Sequence, residues 1–142
     1  GDSIADILDL TVDEAIEKFE SHTNILHPLQ ALSNTGLNYM TLGQSLDTLS
    51  GGETQRVKLS RYLTEDVTEK TIIFDEPTTG LHEDDLPILI ECFNHLIDEG
   101  NTVILIEHNL TMMTEADGLL TLDHLLVNME DNYCMLENLK DS

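Results

Sequence analysis

An α/β fold with a helical first half follows from three features of the 142-residue sequence. Before about residue 65 the apolar residues recur at helical spacing. After it come two continuous apolar runs rich in β-branched residues, Thr71-Ile72-Ile73-Phe74 and Thr102-Val103-Ile104-Leu105-Ile106. Between them lies one stretch with helical periodicity, which makes the runs parallel strands of a βαβ unit with a right-handed crossover. The expected division is a helical subdomain over 1–65 and an α/β core with an acidic tail over 66–142.

The elements follow in order. Thr11 and Glu14 form a capping box, and Val12, Ala15, Ile16 and Phe19 repeat at i, i+3, i+4, i+7, which predicts a helix over 11–20. Ile25, Leu26, Leu29 and Leu32 predict a second short helix, stopped before Gly36. Residues 36–49 read as loop, with Tyr39, Met40, Leu42, Leu46 and Leu49 as anchors. A further box, Ser50 with Glu53, opens a helix that runs to about Leu63. The two apolar runs, lacking alternation, predict strands buried on both faces. Asp75-Glu76-Pro77 ends the first, and Thr78-Thr79-Gly80 turns the chain. The crossover helix extends to Glu99 with Leu86, Leu89, Ile90, Phe93 and Ile97 on one face. Pro87 is tolerated in its first turn, and Gly100 is its C-cap. A short helix near 110–115 and a third apolar run at 119–122 continue the α/β half. For 123–142 two readings stand. Leu122, Leu126, Met129, Tyr133 and Leu136 suit a helix, while Asp131-Asn132 suits the turn of a hairpin.

Hydrophobic residues make up 40% and aromatics only 4%, which implies an aliphatic core. A formal net charge of −22, from 28 acidic and 6 basic residues, repels nucleic acid and anionic membrane surfaces. Duplex-DNA binding by this chain alone is therefore not expected. Cys92 and Cys134 form no CxxC pair, so neither zinc nor a disulfide framework is indicated, and Cys92 reads as a small core residue. No apolar run has the length of a membrane span, and a reducing cytoplasm is the expected location. Arg56, Lys58 and Arg61 gather on the helix after Ser50 and make a local basic spot.

The chemistry concentrates at two places. Gly51 and Gly52 stand inside the Ser50 box, where a helix start does not need them and each costs about 0.5–1 kcal/mol relative to Ala. A plain cap and a phosphate-facing helix N-terminus are both open readings. In a parallel sheet, ligands bind beyond the carboxyl ends of the strands. Asp75 and Glu76 stand at that end of one strand and His108 at the same end of the next. Capping or a salt bridge is the ordinary role for such a carboxylate, and hydrogen bonding in the scaffold is the ordinary role for such a histidine. Two adjacent carboxylates repel unless a cation offsets them, and Mg2+ arriving with a nucleotide fits. Asp75 would hold the metal and Glu76 would deprotonate an attacking water. Glu107, His95, His82 and Cys92 read as scaffold or surface.

LSGGETQR, IIFDEPTTGLH and VILIEHN stand in the order and spacing of the ATP-binding-cassette signature, Walker B, D-loop and H-loop motifs. Thr78-Thr79-Gly80-Leu81-His82, with LNYMTLGQSLDTLSGGETQRVKLS before it, narrows the match. Over roughly residues 4–122 the chain resembles the UvrA family of ABC-type ATPases, the damage-recognition component of the bacterial excinuclease. The resemblance implies a partial ABC cassette, with a signature-containing helical subdomain followed by the Walker B and H-loop core. It implies a nucleotide excision repair ATPase that recognises DNA damage, works in the cytoplasm and belongs to the SOS response. Its cofactors would be ATP and Mg2+, with zinc expected only in other parts of the family protein. Ser50, Gly51, Gly52 and Glu53 would contact the ATP, Asp75 would be the Mg2+ residue, and Glu76 and His108 would be catalytic. Thr78, Thr79, Gly80, Leu81 and His82 would form the D-loop at the cassette interface. The implied partners are a second cassette or a homodimer partner, the excinuclease component UvrB, and damaged DNA through the full protein; no membrane is implied.

Departures accompany the likeness. No GxxxxGK[ST] occurs, Gln44 does not fit a Q-loop, the family's zinc cysteines are missing, and the stretch from Leu122 onward diverges. The chain therefore reads as the C-terminal part of a cassette without Walker A, cut or split from a larger protein, with little or no hydrolysis alone. Alternative readings are a related antibiotic-resistance or translation-type ABC ATPase, and a non-catalytic truncated cassette that acts as an interaction module.

Overall fold

The computed structural model describes residues 1–107, 109, 111–112, 119–121 and 133–137, the last two stretches as backbone. Four helices come first: α1 (Ile4–Leu8), α2 (Val12–Lys18), α3 (Thr23–Asn34) and α4 (Gly51–Thr64). Then follow β1 (Thr71–Asp75), α5 (Leu86–Asp98), β2 (Thr102–Ile106), β3 (Leu119–Thr121) and β4 (Tyr133–Glu137).

Three helices start in the same way. Ser3 with Asp6, Thr11 with Glu14 and Ser50 with Glu53 are reciprocal capping boxes that open α1, α2 and α4. The first escapes the sequence pattern because it carries Asp, not Glu or Gln, at its third helical position. Helix α3 has no side-chain cap and continues through Pro28, which forfeits one backbone hydrogen bond. Burial of Leu29 and Ala31 holds it.

Strands β1, β2, β4 and β3 form one parallel sheet in that order. The expected βαβ unit is present, with Thr71 opposite Thr102 and Asp75 opposite Ile106. Burial on both faces is not. Ile72 and Phe74 are buried, whereas Ile73 is 49% exposed and Thr71 and Asp75 are exposed as well. In β2 the alternate residues are only half covered. A continuous apolar run cannot reveal this, because Ile73 is apolar whichever way it points. The third apolar run is β3, and the helix expected at 110–115 lies mostly outside the described residues. The helical reading of the tail fails at Tyr133 and Leu136, since 133–137 is a strand, while the Asp131-Asn132 turn lies outside the described residues. Five residues are too few to separate a helical period from an alternating one.

The main core joins Ile72, Phe74, Val103 and Leu105 of the sheet to Leu89, Phe93 and Leu96 of α5, Leu59 of α4 and Met112. Phe74 meets Phe93 edge-on at 5.2 Å between ring centres and Tyr62 at 6.4 Å. Cys92 belongs to this core, and burial, with Glu91 nearby, pushes its thiol up to about 11. A second cluster of Val12, Leu37 and Met40 packs with Ile16, Leu32 and Val57. It is closed by antiparallel bonding, Val12 N–H to Met40 O at 2.8 Å and Leu42 N–H to Leu10 O at 2.9 Å. Of the expected loop anchors, Met40 is buried, but Tyr39 and Leu46 are 56% and 72% exposed. Tyr39 stays out because its hydroxyl is used in a hydrogen bond to Glu53.

Two side-chain devices finish the α/β half. Buried Asn101 accepts from Lys70 N–H and donates to the carbonyls of Val67 and Leu96, tying both strand starts to the end of α5. On the free edge of β1, Lys58 donates to Ile73 O at 2.6 Å and Gln55 accepts from Asp75 N–H at 3.1 Å. Among the described residues no helix is long and apolar enough to cross a membrane.

Candidate functional site

The first turn of α4 is fixed from two sides. Ser50 Oγ accepts from Glu53 N–H at 3.2 Å, and Glu53 Oε1 accepts from Ser50 N–H at 3.0 Å. Tyr39 adds a 2.7 Å bond to Glu53 Oε2. That bond, with those from Ser50, holds the Glu53 carboxyl below the usual range. Burial and the Glu53 contact push the Tyr39 phenol up.

The two glycines differ. Ser50 and Gly51 are exposed, and a Cβ added at Gly51 would meet nothing within 4 Å. A Cβ at Gly52 would stand 2.3 Å from Thr79 O and 2.9 Å from Thr79 Cβ. Protein therefore supplies the close approach at Gly52, whereas Gly51 leaves an open helix N-terminus of the kind that suits an anion.

At the other end of this contact, Asp75 and Glu76 are both exposed at the carboxyl end of β1. Gln55 from α4 holds Asp75 N–H. Glu76 N–H donates to Ile106 O at 2.8 Å, and Glu76 itself sits in the left-handed region at φ +48°. For a non-glycine residue that conformation costs about 1–3 kcal/mol and persists only where the surroundings enforce it.

The turn over 77–81 is gripped by two buried charged groups. Arg56 Nη1 donates to Pro77 O at 2.9 Å and to Thr79 O at 2.8 Å. Glu107 Oε2 accepts from Thr78 Oγ1 at 2.6 Å and from Thr78 N–H at 3.3 Å. Arg56 and Glu107 are each 1% exposed. Leu81 packs against Gly36, where a Cβ would come within 2.4 Å of Leu81 Cδ1 and where the backbone has φ +79°. His82 is exposed, and its Nδ1 accepts from Asp84 N–H at 3.2 Å. His108 lies outside the described residues.

The basic spot on α4 is not a free cationic patch. Arg56 is buried under the turn, Lys58 bonds Ile73 O and lies 5.1 Å over the Phe74 ring, and Arg61 pairs with Glu65 at 2.8 Å. Among the described residues no group of three or more His, Cys, Asp or Glu side chains could hold a metal ion. The exposed carboxylates of Asp75 and Glu76 fit instead a hard cation held by one or two carboxylates together with phosphate oxygens and water, the habit of Mg2+. A surface groove of about 490 Å³ between α3 and α5 shares no residue with this region.

The family model described as ABC transporter matches residues 5–79, more than half of the chain. The chain belongs to this ABC-type ATPase family. Within the family, the UvrABC system protein A of Aquifex aeolicus is 51% identical over 86% of this chain, and that of Thermus thermophilus is 50% identical over the same share. The solved structure of UvrA2 from Deinococcus radiodurans superposes with a TM-score of 0.74 at 43% identity, over 82% of this chain and 14% of that one. The chain spans about 13% of the length of the curated relatives. The observed fold, helices around the signature followed by a parallel βαβ core, is that of a partial ABC cassette.

Four residues around the cassette motifs carry no sequence signal as site residues: Tyr39, Gln55, Arg56 and Glu107. Gln55 and Arg56 lie inside the signature string, yet their contacts are far along the chain at Asp75, Pro77 and Thr79. Glu107, expected as scaffold or surface, is scaffold, and it braces the turn that follows the two carboxylates.

Proposed function

We propose that this chain supplies the signature half of an ATP site, together with the acidic strand end of a cassette, in a UvrA-type DNA-repair ATPase. One observation supports the reading above the others. Gly52 seats α4 on Thr79 while Gln55 binds Asp75 N–H, so an open helix N-terminus at Ser50 and Gly51 is rigidly related to Asp75 and Glu76. In this reading Ser50, Gly51, Gly52 and Glu53 form the face presented to the terminal phosphate of ATP, whose phosphate-cradling loop comes from a second cassette. Asp75 would hold Mg2+, and the bound ion would supply charge neutralisation at the phosphates. Glu76 accepts a proton from the attacking water at its carboxylate, and the left-handed backbone at this residue fixes where that carboxylate stands. Thr78, Thr79, Gly80, Leu81 and His82 form the cassette interface, and His108 senses the terminal phosphate.

The division into 1–65 and 66–142 belongs to the same proposal, with α4 bridging the two parts, since Leu59 packs in the main core and Val57 against the second cluster. So do a second cassette, the excinuclease component UvrB and damaged DNA as partners of the whole protein, and a cytoplasmic, SOS-linked setting. The sequence contains no GxxxxGK[ST], so the isolated chain should show little magnesium-dependent ATP affinity by calorimetry. Micromolar affinity would overturn that point. In a complete two-cassette protein, Glu76→Gln should retain ATP binding and lose most hydrolysis. Unchanged turnover would remove Glu76 from the role of base.

A further inference from the structure

The turn over 77–81 has an unusual anchorage. It follows the two carboxylates directly, and buried groups of opposite charge hold it from both sides. From α4, Arg56 takes the carbonyls of Pro77 and Thr79. From the residue after β2, Glu107 takes the hydroxyl and amide of Thr78. A buried Arg or Glu is expensive to desolvate unless its hydrogen bonds are made, and replacing a buried charged set as a whole with well-packed apolar residues is often neutral or better for stability. Stability alone therefore does not call for this pair. Each grip is also specific. A single guanidinium nitrogen, Arg56 Nη1, meets two carbonyls at once, and the Glu oxygen meets both donors of a single residue.

Resting on the reading above, we infer that Arg56 and Glu107 are positioning residues for the ATP site. They lock the turn so that the N-terminus of α4, the carboxylates of Asp75 and Glu76, and the end of β2 hold one fixed arrangement. Glu107 immediately precedes His108, so the residue that follows β2 is tied through Thr78 to the same turn that seats Gly52. Displacing the turn would move the helix N-terminus without touching a ligand. Misplacement on the ångström scale is enough to cost a catalytic site about 100-fold.

Two measurements test this, and the first needs no nucleotide. Hydrogen–deuterium exchange on the full 142-residue chain should show, for Thr78→Val and Glu107→Gln, faster exchange in the turn and also in the first turn of α4, with α2 and the main core unchanged. Thr78→Ser, which keeps the hydroxyl, should restore both. Faster exchange confined to the turn, or spread through the whole chain, overturns the coupling. The second measurement is steady-state ATP hydrolysis by a full-length UvrA-type protein carrying this segment. There Glu107→Gln and Arg56→Lys should each lower kcat by about tenfold or more with KM nearly unchanged. Full kcat in these variants, with Glu76→Gln inactive, overturns the positioning role and leaves the ATPase reading standing. Full activity of Glu76→Gln instead removes the reading itself, and the positioning role with it.

Discussion

Gly51 and Gly52 are neighbours in sequence with opposite surroundings, and substitution should separate them. Gly52→Ala drives a methyl group into Thr79 O, which is backbone and cannot swing aside. Overpacking of this kind should cost about 1–3 kcal/mol. Gly51→Ala places its methyl in open space and exchanges a poor helix former for the best, so it should add about 0.5–1 kcal/mol. Urea denaturation of the two variants checks both signs, and equal effects would contradict the geometry. The sequence announced that the pair was out of place in a capping box. It did not announce which glycine faces protein, because the residue that crowds Gly52 is the distant Thr79. Glu107 was illegible for the same reason: its partner Thr78 lies across the βαβ unit. The place of Asp75 and Glu76 at a strand end was readable because its signal is local, charge following directly on an apolar strand.

At the scale of the element, capping boxes and helical periodicity located α2, α4 and α5 closely, since both are contained in a few consecutive residues. Strand environment was less accessible. Whether a strand is covered on one face or two depends on what packs there, which β1 and β2 do not encode. The edge of β1 carries a consequence of its own. Its carbonyl at Ile73 and amide at Asp75, which face away from β2, are occupied by Lys58 and Gln55 from α4. Unpaired strand edges recruit other strands, and a lysine on the edge is a common guard. The double variant Lys58→Ala/Gln55→Ala should therefore self-associate at concentrations where the parent chain does not. Sedimentation velocity reads this directly, and an unchanged distribution would show that the two side chains do not protect the edge.

The whole molecule combines a net charge of −22 with three helices whose first turns use ionised carboxylates. Hydrogen bonds from Ser3 hold Asp6 below the ordinary carboxylate value, those from Thr11 do the same for Glu14, and Tyr39 followed by Ser50 does so for Glu53. Folded-state values below the unfolded ones mean that each cap contributes fully above the unfolded carboxylate range. Its contribution fades as pH falls through the folded value. Helicity by far-ultraviolet circular dichroism should thus be flat from neutrality to about pH 5 and decline below it. Ser50→Ala should begin with less helix and lose less on acidification. An acid profile identical to that of the parent would disconnect the Ser50 box from the transition.

Asn101 bears on how the α/β half holds together. With one side chain it bonds Lys70, 31 residues earlier, and the carbonyl at the end of α5. That closure spans 31 residues and lies within the βαβ unit, so the starts of β1 and β2 are aligned without any residue of α1 to α3. The carboxylate-bearing strand end therefore belongs to a unit that carries its own cross-link, and the signature helix packs through Leu59 on the surface that unit presents.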